Sequence, residues 1–93
     1  MATLTITAHA ARRMVESNIT VPVLRDVLAG GDTIERYPED TPYPSRLMLG
    51  WHDRRPVHVV VADNQAEDEM IVITVYEPDL TRWEPGFRER RRA

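Results

Sequence analysis

Residues 70–77, MIVITVYE, are the stretch that decides the fold. The run is rich in β-branched and aromatic side chains, which favour a strand, and Pro78 ends it because proline has no N–H to donate to a sheet. Successive side chains of a strand point to opposite faces, so Ile71, Ile73 and Val75 should share one face. This wholly aliphatic set is expected to pack beneath helices.

Three earlier segments have the same strand period, at residues 33–37, 45–51 and 56–63. The loops that separate the last three predicted strands are short and polar, so these strands should pair as an antiparallel meander. No helical segment lies between the strands, which excludes a doubly wound parallel sheet.

Two helices are predicted before the strands, at residues 8–18 and 21–29. Thr7 and Thr20 are suitable N-cap residues, because a threonine hydroxyl can accept a hydrogen bond from an N–H of the first turn. The linker between the helices is very short, so the sequence predicts a tight helical hairpin. The first helix is expected to bury Ala11, Met14 and Val15.

The fold class that follows is α+β, in a single domain over residues 1–93. The helical hairpin occupies residues 8–29, a four-stranded antiparallel meander sheet occupies 32–77, and a C-terminal tail occupies 78–93. The simplest arrangement places the odd-numbered strand residues in the core, among them Leu47, Leu49, Trp51, Val57, Val59 and Val61.

The even-numbered face of the sheet then carries several polar side chains, namely Arg46, His58, Thr74 and Tyr76. Three interpretations of this face remain open. It is a shallow binding surface, or the tail covers it, or a second copy of the chain covers it.

Composition narrows the functional classes. The net charge of −3 and the pI of about 5.5 argue mildly against a general nucleic-acid binder. All 12 positive charges are arginines, whose planar fork suits phosphate and carboxylate. The chain has no cysteine and no apolar run of the roughly 20 residues that span a membrane, so a cytoplasmic location is expected.

No cofactor and no metal site are predicted. The three histidines, at 9, 52 and 58, lack the spacing of metal ligands, and the sequence contains no glycine-rich phosphate loop and no nucleophile elbow.

Five segments together resemble an uncharacterised family of small bacterial proteins, a domain of unknown function. Its pattern has a histidine-containing helix, a strand with leucine and glycine, a proline–leucine–histidine–valine–valine strand and an isoleucine–threonine–valine–tyrosine–x–proline strand followed by tryptophan. The matching segments of this chain are residues 9–14, 47–50, 55–60, 73–78 and 83–88.

The resemblance implies a distant similarity to RelE-type and BrnT-type toxins. The toxins share two helices followed by a four-stranded antiparallel sheet, and many of them cut RNA. The resemblance also implies a gene for a small zinc-finger protein of antitoxin type beside that of the family member. The expected function is therefore that of a toxin-like ribonuclease of a toxin–antitoxin pair, acting without a metal. The alternative is a non-catalytic protein-interaction module, with a homodimer through the even-numbered face as one form of it.

Metal-independent RNA cleavage needs proton transfer and stabilisation of a charged phosphorane. His58 is the candidate for proton transfer, because an ordinary histidine titrates near pH ~6.5. Tyr76 and Arg46 are the candidates beside it. The competing interpretation makes His58 a hydrogen-bonded core histidine and Tyr76 a capping aromatic.

Four further residues are candidates for substrate binding. His9 and Arg13 are neighbours on the first helix, because they are four residues apart. Arg88 and Arg90 belong to the basic tail and are expected to touch RNA phosphate or an acidic partner. For both pairs the alternative is an ordinary solvated surface, and for His9 and Arg13 also hydrogen bonds that lock the helix to the sheet.

Overall fold

The computed structural model describes residues 3–92, so residues 1, 2 and 93 of the predicted domain lie outside the described range. Both helices pack on one face of a five-stranded sheet of order β1-β5-β4-β3-β2. The elements are β1 (Thr3–Ile6), α1 (Ala8–Glu16), α2 (Val21–Gly30), β2 (Asp32–Tyr37), β3 (Ser45–His52), β4 (Arg55–Asn64) and β5 (Glu69–Tyr76). Within this range, neither helix is long and apolar enough to cross a membrane.

The N-terminal strand β1 makes the sheet mixed. It pairs in parallel with β5, from Thr3 opposite Glu69 to Ile6 opposite Val72, while the other three pairings are antiparallel. The predicted four-stranded antiparallel meander is therefore correct for β2 to β5 and wrong for the sheet as a whole. The strand was missed because four residues are too few to show a clear period.

Both predicted helix starts are confirmed. The Thr7 hydroxyl accepts a hydrogen bond from the N–H of Ala10 at 3.1 Å, and Thr20 accepts one from Val23 at 3.4 Å. The predicted tight hairpin is wrong, because α1 packs on β5 whereas α2 packs on β3 and β4. Each helix buries its apolar side against the sheet rather than against the other helix.

The buried side of α1 differs from the prediction. Ala10 and Met14 are buried, whereas Val15 is 83% exposed. Thr7 fixes this orientation, because its N–H donates to the carbonyl of Val72 and its hydroxyl to that of Ile73, both at 3.2 Å. These bonds set how the helix leaves the sheet.

The register of β3 reverses its predicted faces. A tight turn pairs His52 with Arg55, so every odd-numbered residue of β4 lies opposite an even-numbered residue of β3. Val57, Val59 and Val61 face the helices as predicted, but on β3 it is Met48 that packs with them, not Leu47, Leu49 and Trp51. The turn residues Asp53 and Arg54 both have positive φ, which is what a two-residue hairpin turn needs.

A bulge at Ile73 changes the faces of β5. Val60 lies opposite Thr74, but Val61 lies opposite Val72, so Ile73 has no partner and is 38% exposed. Val72 and Val75 are both buried against the helices. The prediction of an inward set of three residues therefore holds only for Val75, because the extra residue interrupts the alternation.

Two adjacent glycines at the end of α2 provide a stability test. A Cβ at Gly31 would lie 2.6 Å from the carbonyl oxygen of Val27 and 2.8 Å from that of Leu49, whereas one at Gly30 would meet nothing within 4 Å. We expect Gly31→Ala to lower the free energy of unfolding by about 1–3 kcal/mol, because rigid backbone must move. Gly30→Ala should leave it unchanged or raise it by up to ~1 kcal/mol.

Urea denaturation of both variants measures this difference. Equal stability of Gly31→Ala and Gly30→Ala would contradict the close packing of α2 on β3.

Candidate functional site

The sheet face opposite the helices is covered by the C-terminal segment, residues 77–92. Trp83 is only 2% exposed, and its ring centroid lies 4.5 Å from that of His58 in an edge-to-face contact. Phe87 packs against Trp51 at 6.0 Å. Of the three interpretations left open for this face, the structure shows the one in which the chain's own tail covers it.

The segment folds back on itself as a short hairpin. Trp83 forms an isolated antiparallel bridge with Arg90, and the N–H of Glu84 donates to the carbonyl of Glu89 at 2.8 Å. Gly86 and Phe87 at its tip have φ values of 92° and 61°. The tip thereby presents the carbonyl of Phe87 to the sheet.

His58 is the buried polar group between these two layers. It is 0% exposed, and its Nε2 lies 2.9 Å from the carbonyl oxygen of Phe87. A carbonyl only accepts, so Nε2 carries the proton, and Nδ1 accepts a hydrogen bond from the Tyr76 hydroxyl at 3.1 Å. Burial lowers the pKa of His58, although the bond to Phe87 opposes the shift. The ring is therefore neutral, with both nitrogens occupied.

The predicted catalytic residues His58 and Tyr76 can now be compared with their positions in the structure. The structure brings His58 and Tyr76 together, as the sequence indicated, but inside a closed layer. His58 has no nitrogen left for a substrate, which agrees with its alternative interpretation as a hydrogen-bonded core histidine. A catalytic role for Tyr76 stays a prediction.

Arg46 lies elsewhere, and the prediction that it shares a surface with His58 is wrong. Its guanidinium donates to both carboxylate oxygens of Asp63, at 2.9 and 3.2 Å. Arg46 is opposite Val61, on the face that carries the helices, because the β3–β4 register pairs even with odd numbers.

Arg88 and Arg90 tie the C-terminal segment to strand β2. Arg88 donates to Asp32 at 2.9 Å, and Arg90 donates to both carboxylate oxygens of Glu35, at 2.9 and 3.1 Å. Partial burial would raise the pKa of Glu35, but the hydrogen bonds from Arg90 and Tyr37 outweigh it and hold the pKa below its usual value. The predicted basic tail is therefore engaged largely with the protein's own acids.

Arg90 also contributes to an open cleft of about 240 Å³, which we call the arginine cleft. Its guanidinium carbon lies 4.7 Å from the centroid of the Trp83 ring. The lining comes from α1, from the end of β5 and from the C-terminal segment, namely Arg13, Tyr76, Glu77, Pro78, Asp79, Arg82, Trp83 and Arg90.

The arginines of the cleft are incompletely neutralised. The Nε of Arg13 is buried without a hydrogen-bond partner. The Nη1 of the same side chain lies 3.9 Å from the Glu16 carboxylate, which is a long ion-pair distance. Within residues 3–92, Arg82 forms no salt bridge. The cleft therefore offers unused guanidinium donors.

The two carboxylates of the cleft already have partners. Glu77 pairs with Arg55, whose guanidinium also donates to the carbonyls of Ser17 and Asn18 at the end of α1. Asp79 accepts hydrogen bonds from the Thr81 hydroxyl and from the backbone N–H groups of Thr81 and Arg82, and these bonds hold its pKa below the usual value although desolvation opposes the shift. Both acids are engaged in shaping the cleft wall.

Tyr76 supplies a neutral hydroxyl to this positive surface. Burial raises the pKa of Tyr76, although the charge of Arg90 opposes the shift, so the hydroxyl stays protonated at neutral pH. Within residues 3–92, no group of three or more His, Asp or Glu is placed to hold a metal ion. The arrangement can bind an anion and can donate hydrogen bonds or a proton to it.

The structure unites only part of the predicted binding set. Arg13 and Arg90 share the cleft, whereas Arg88 lies at β2 and His9 is hydrogen-bonded to Thr74 at 3.1 Å. Sequence reasoning missed Arg82 and Trp83 as site residues. Their only signal was the concentration of arginine and aromatic residues after Pro78, which does not say which helix they will meet.

The neutral state of His58 predicts how stability changes with pH. The unfolded chain binds a proton at His58 below about pH 6.5, whereas the lowered pKa keeps the ring neutral in the folded protein. Protonation therefore favours the unfolded chain. The free energy of unfolding is highest above about pH 6.5 and falls as the pH falls. We expect the free energy of unfolding to fall less between pH 7 and pH 5 in His58→Gln than in the wild type. Urea denaturation at both pH values measures it.

The exposed His52, replaced by Gln, is the matched control and should leave the wild-type difference in place. An unchanged pH dependence in His58→Gln would show that the ring is not held neutral.

Comparison with known proteins identifies the family but no activity. Residues 6–77 match the model of a family described as a domain of unknown function, DUF4258. No curated protein and no solved structure matches the chain, so nothing here connects it to the RelE-type or BrnT-type toxins. The family match covers most of the chain, and the protein therefore belongs to the DUF4258 family, a domain of unknown function.

Proposed function

We propose that this protein is the toxin-like member of a bacterial toxin–antitoxin pair, which binds RNA phosphate in the arginine cleft and cleaves the chain without a metal. One observation carries the proposal. Arg13, from α1, meets Arg82 and Arg90, from the C-terminal segment, around a single open cleft. Three guanidinium groups gathered from distant parts of the sequence favour an anionic ligand.

The cleft suits a phosphodiester in particular. The side chain of Arg13 is 43% exposed, and within residues 3–92 Arg82 forms no salt bridge, so phosphate oxygens would accept from both guanidinium groups. Arg90 is held in place by Glu35 on one side and the Trp83 ring on the other, so little side-chain freedom remains to be lost on binding.

Cleavage of RNA without a metal requires negative charge to be stabilised on a five-coordinate phosphorus and a proton to reach the leaving 5′ oxygen. The arginines of the cleft provide the positive charge. Tyr76 provides the proton, because its raised pKa keeps the hydroxyl protonated and the O–H can rotate from Nδ1 of His58 to the leaving oxygen. A small antitoxin-type protein would block this chemistry by occupying the same cleft.

The second candidate function is a non-catalytic protein-interaction module. The closed environment of His58 favours it, because this fully buried histidine is used to hold the fold together. The C-terminal segment covers part of the face through which a homodimer is expected, whereas Trp51 stays 52% exposed beside the segment. Such a module would bind its partner without any change in RNA.

The first test measures binding of RNA to the cleft. Arg13→Gln and Arg82→Gln should each weaken binding of a short single-stranded RNA, because each removes a phosphate contact. Each should also reduce the slope of log Kd against log salt concentration by about 0.7, the value expected for one lost phosphate contact. Fluorescence anisotropy at several salt concentrations measures both effects.

Arg25→Gln is the matched control, because Arg25 is an exposed arginine on α2 outside the cleft. Equal losses for Arg25→Gln and Arg82→Gln would show general charge attraction rather than a site.

The second test measures toxicity and cleavage together. Expression of the wild type alone in bacteria should arrest growth and shorten mRNA, and Tyr76→Phe should restore growth by lowering cleavage about 10²–10⁴-fold. Tyr76→Phe keeps the ring beside His58 but removes the hydroxyl. Unimpaired growth, together with intact RNA after incubation with purified wild type, would leave the interaction module as the better account.

A further inference from the structure

A histidine and a threonine lie beside the arginine cleft, on the two elements that form its wall. The Nε2 of His9, on α1, lies 3.1 Å from the hydroxyl oxygen of Thr74, on β5. His9 is exposed, and within residues 3–92 Thr74 is its one hydrogen-bond partner. One ring nitrogen is thus held, and the other is free to exchange a proton with a ligand.

The pairing of α1 with β5 places this histidine next to the cleft. Thr7 bonds to Val72 and Ile73, and His9 bonds to Thr74, so α1 and β5 run in the same direction. One helical turn beyond His9 is Arg13, about 6 Å along the axis. Two strand residues beyond Thr74 is Tyr76, about 6.6 Å further on.

The His9–Thr74 pair therefore lies one step before Arg13 and Tyr76, which both line the cleft. A chain molecule bound in the cleft and extended along α1 would pass His9 immediately outside it.

The other histidines are less suitable for contact with a ligand in the cleft. His58 is sealed under Trp83 with both nitrogens bonded. His52 ends β3 at the hairpin turn, where its Nε2 lies 3.6 Å from the Asp53 carboxylate. Only His9 belongs to an element that lines the cleft.

We propose that His9 accepts the proton of the 2′ hydroxyl of an RNA bound in the arginine cleft, and that Thr74 holds the imidazole for this transfer. This inference rests on the proposed function. With Nε2–H donating to the Thr74 hydroxyl, the lone pair of Nδ1 takes the proton.

The step balances with the groups already described. A bond forms between the 2′ oxygen and phosphorus, and the bond from phosphorus to the 5′ oxygen breaks. His9 gains the proton of the 2′ hydroxyl, and the Tyr76 hydroxyl turns from Nδ1 of His58 and gives its proton to the 5′ oxygen. The products are a 2′,3′-cyclic phosphate and a 5′ hydroxyl, and exchange with water restores both side chains.

The experiment separates binding from proton transfer. Purified wild type, His9→Gln and His9→Ala are compared in single-turnover cleavage of a short RNA and in binding of the same RNA with a 2′-deoxy linkage at the cleavage site. We expect both variants to lose about 10²–10⁴-fold in cleavage rate while Kd changes less than about threefold.

Added imidazole should restore part of the rate of His9→Ala but not that of Arg13→Gln. His52→Ala is the matched control and should cleave as the wild type does.

Each outcome decides one of the two proposals. Cleavage by His9→Gln at the wild-type rate, with wild-type RNA cleavage intact, overturns the role of His9 alone. A parallel loss of binding and cleavage that imidazole does not repair also overturns it, because His9 would then only hold the substrate. No binding and no cleavage by the wild type overturns the proposed function, and the role of His9 with it.

Discussion

The buried imidazole of His58 is the interaction on which the second layer of this protein depends. A buried polar group is costly unless its hydrogen bonds are made, and here one nitrogen bonds to β5 through Tyr76 and the other to the C-terminal segment through Phe87. The Trp83 ring then closes over the imidazole edge-to-face. The segment is thereby fixed to the sheet at a position set by hydrogen bonds rather than by apolar contact alone.

The arginine cleft follows from this attachment. The ring of Trp83 supports Arg90 because it is itself held against His58. The same placement brings Arg82 and Arg90 to Arg13 on α1. Arg90 therefore has two functions, since its bond to Glu35 holds the segment against β2 while its other side lines the cleft. A substitution at Arg90 would therefore loosen the C-terminal segment and alter the lining of the cleft at the same time.

Local signals in the sequence predicted the elements well and their faces poorly. The two threonine caps and the strands β2 to β5 follow from short-range chemistry, and their observed bounds agree with it to within a residue or two. The faces depend on register, which the two-residue turn at 53–54 and the bulge at Ile73 each shift by one. Neither shift leaves a clear mark in the hydrophobic pattern, so Arg46 was placed on the wrong side of the sheet.

In the candidate site too, the sequence predicted the individual residues better than their arrangement. His9, Arg13, His58, Tyr76 and Arg90 were all selected from residue chemistry, but their grouping depends on long-range contacts between α1, β5 and the segment after Pro78. No periodicity rule relates residues 13 and 82, because the chain between them contributes four strands of the sheet. The sequence therefore shows which residue types can bind or transfer protons, whereas the fold decides which of these residues come together in one site.

The late position of Arg82 and Arg90 in the chain has a consequence for synthesis. Translation delivers α1 and all five strands before it delivers the residues that complete the cleft. A nascent chain still attached to the ribosome at residue 80 carries Arg13 alone, without its companions and without the layer over His58. The cleft is therefore complete only after residues 82–90 have been synthesised and have folded back onto the sheet, although every strand of that sheet is already present.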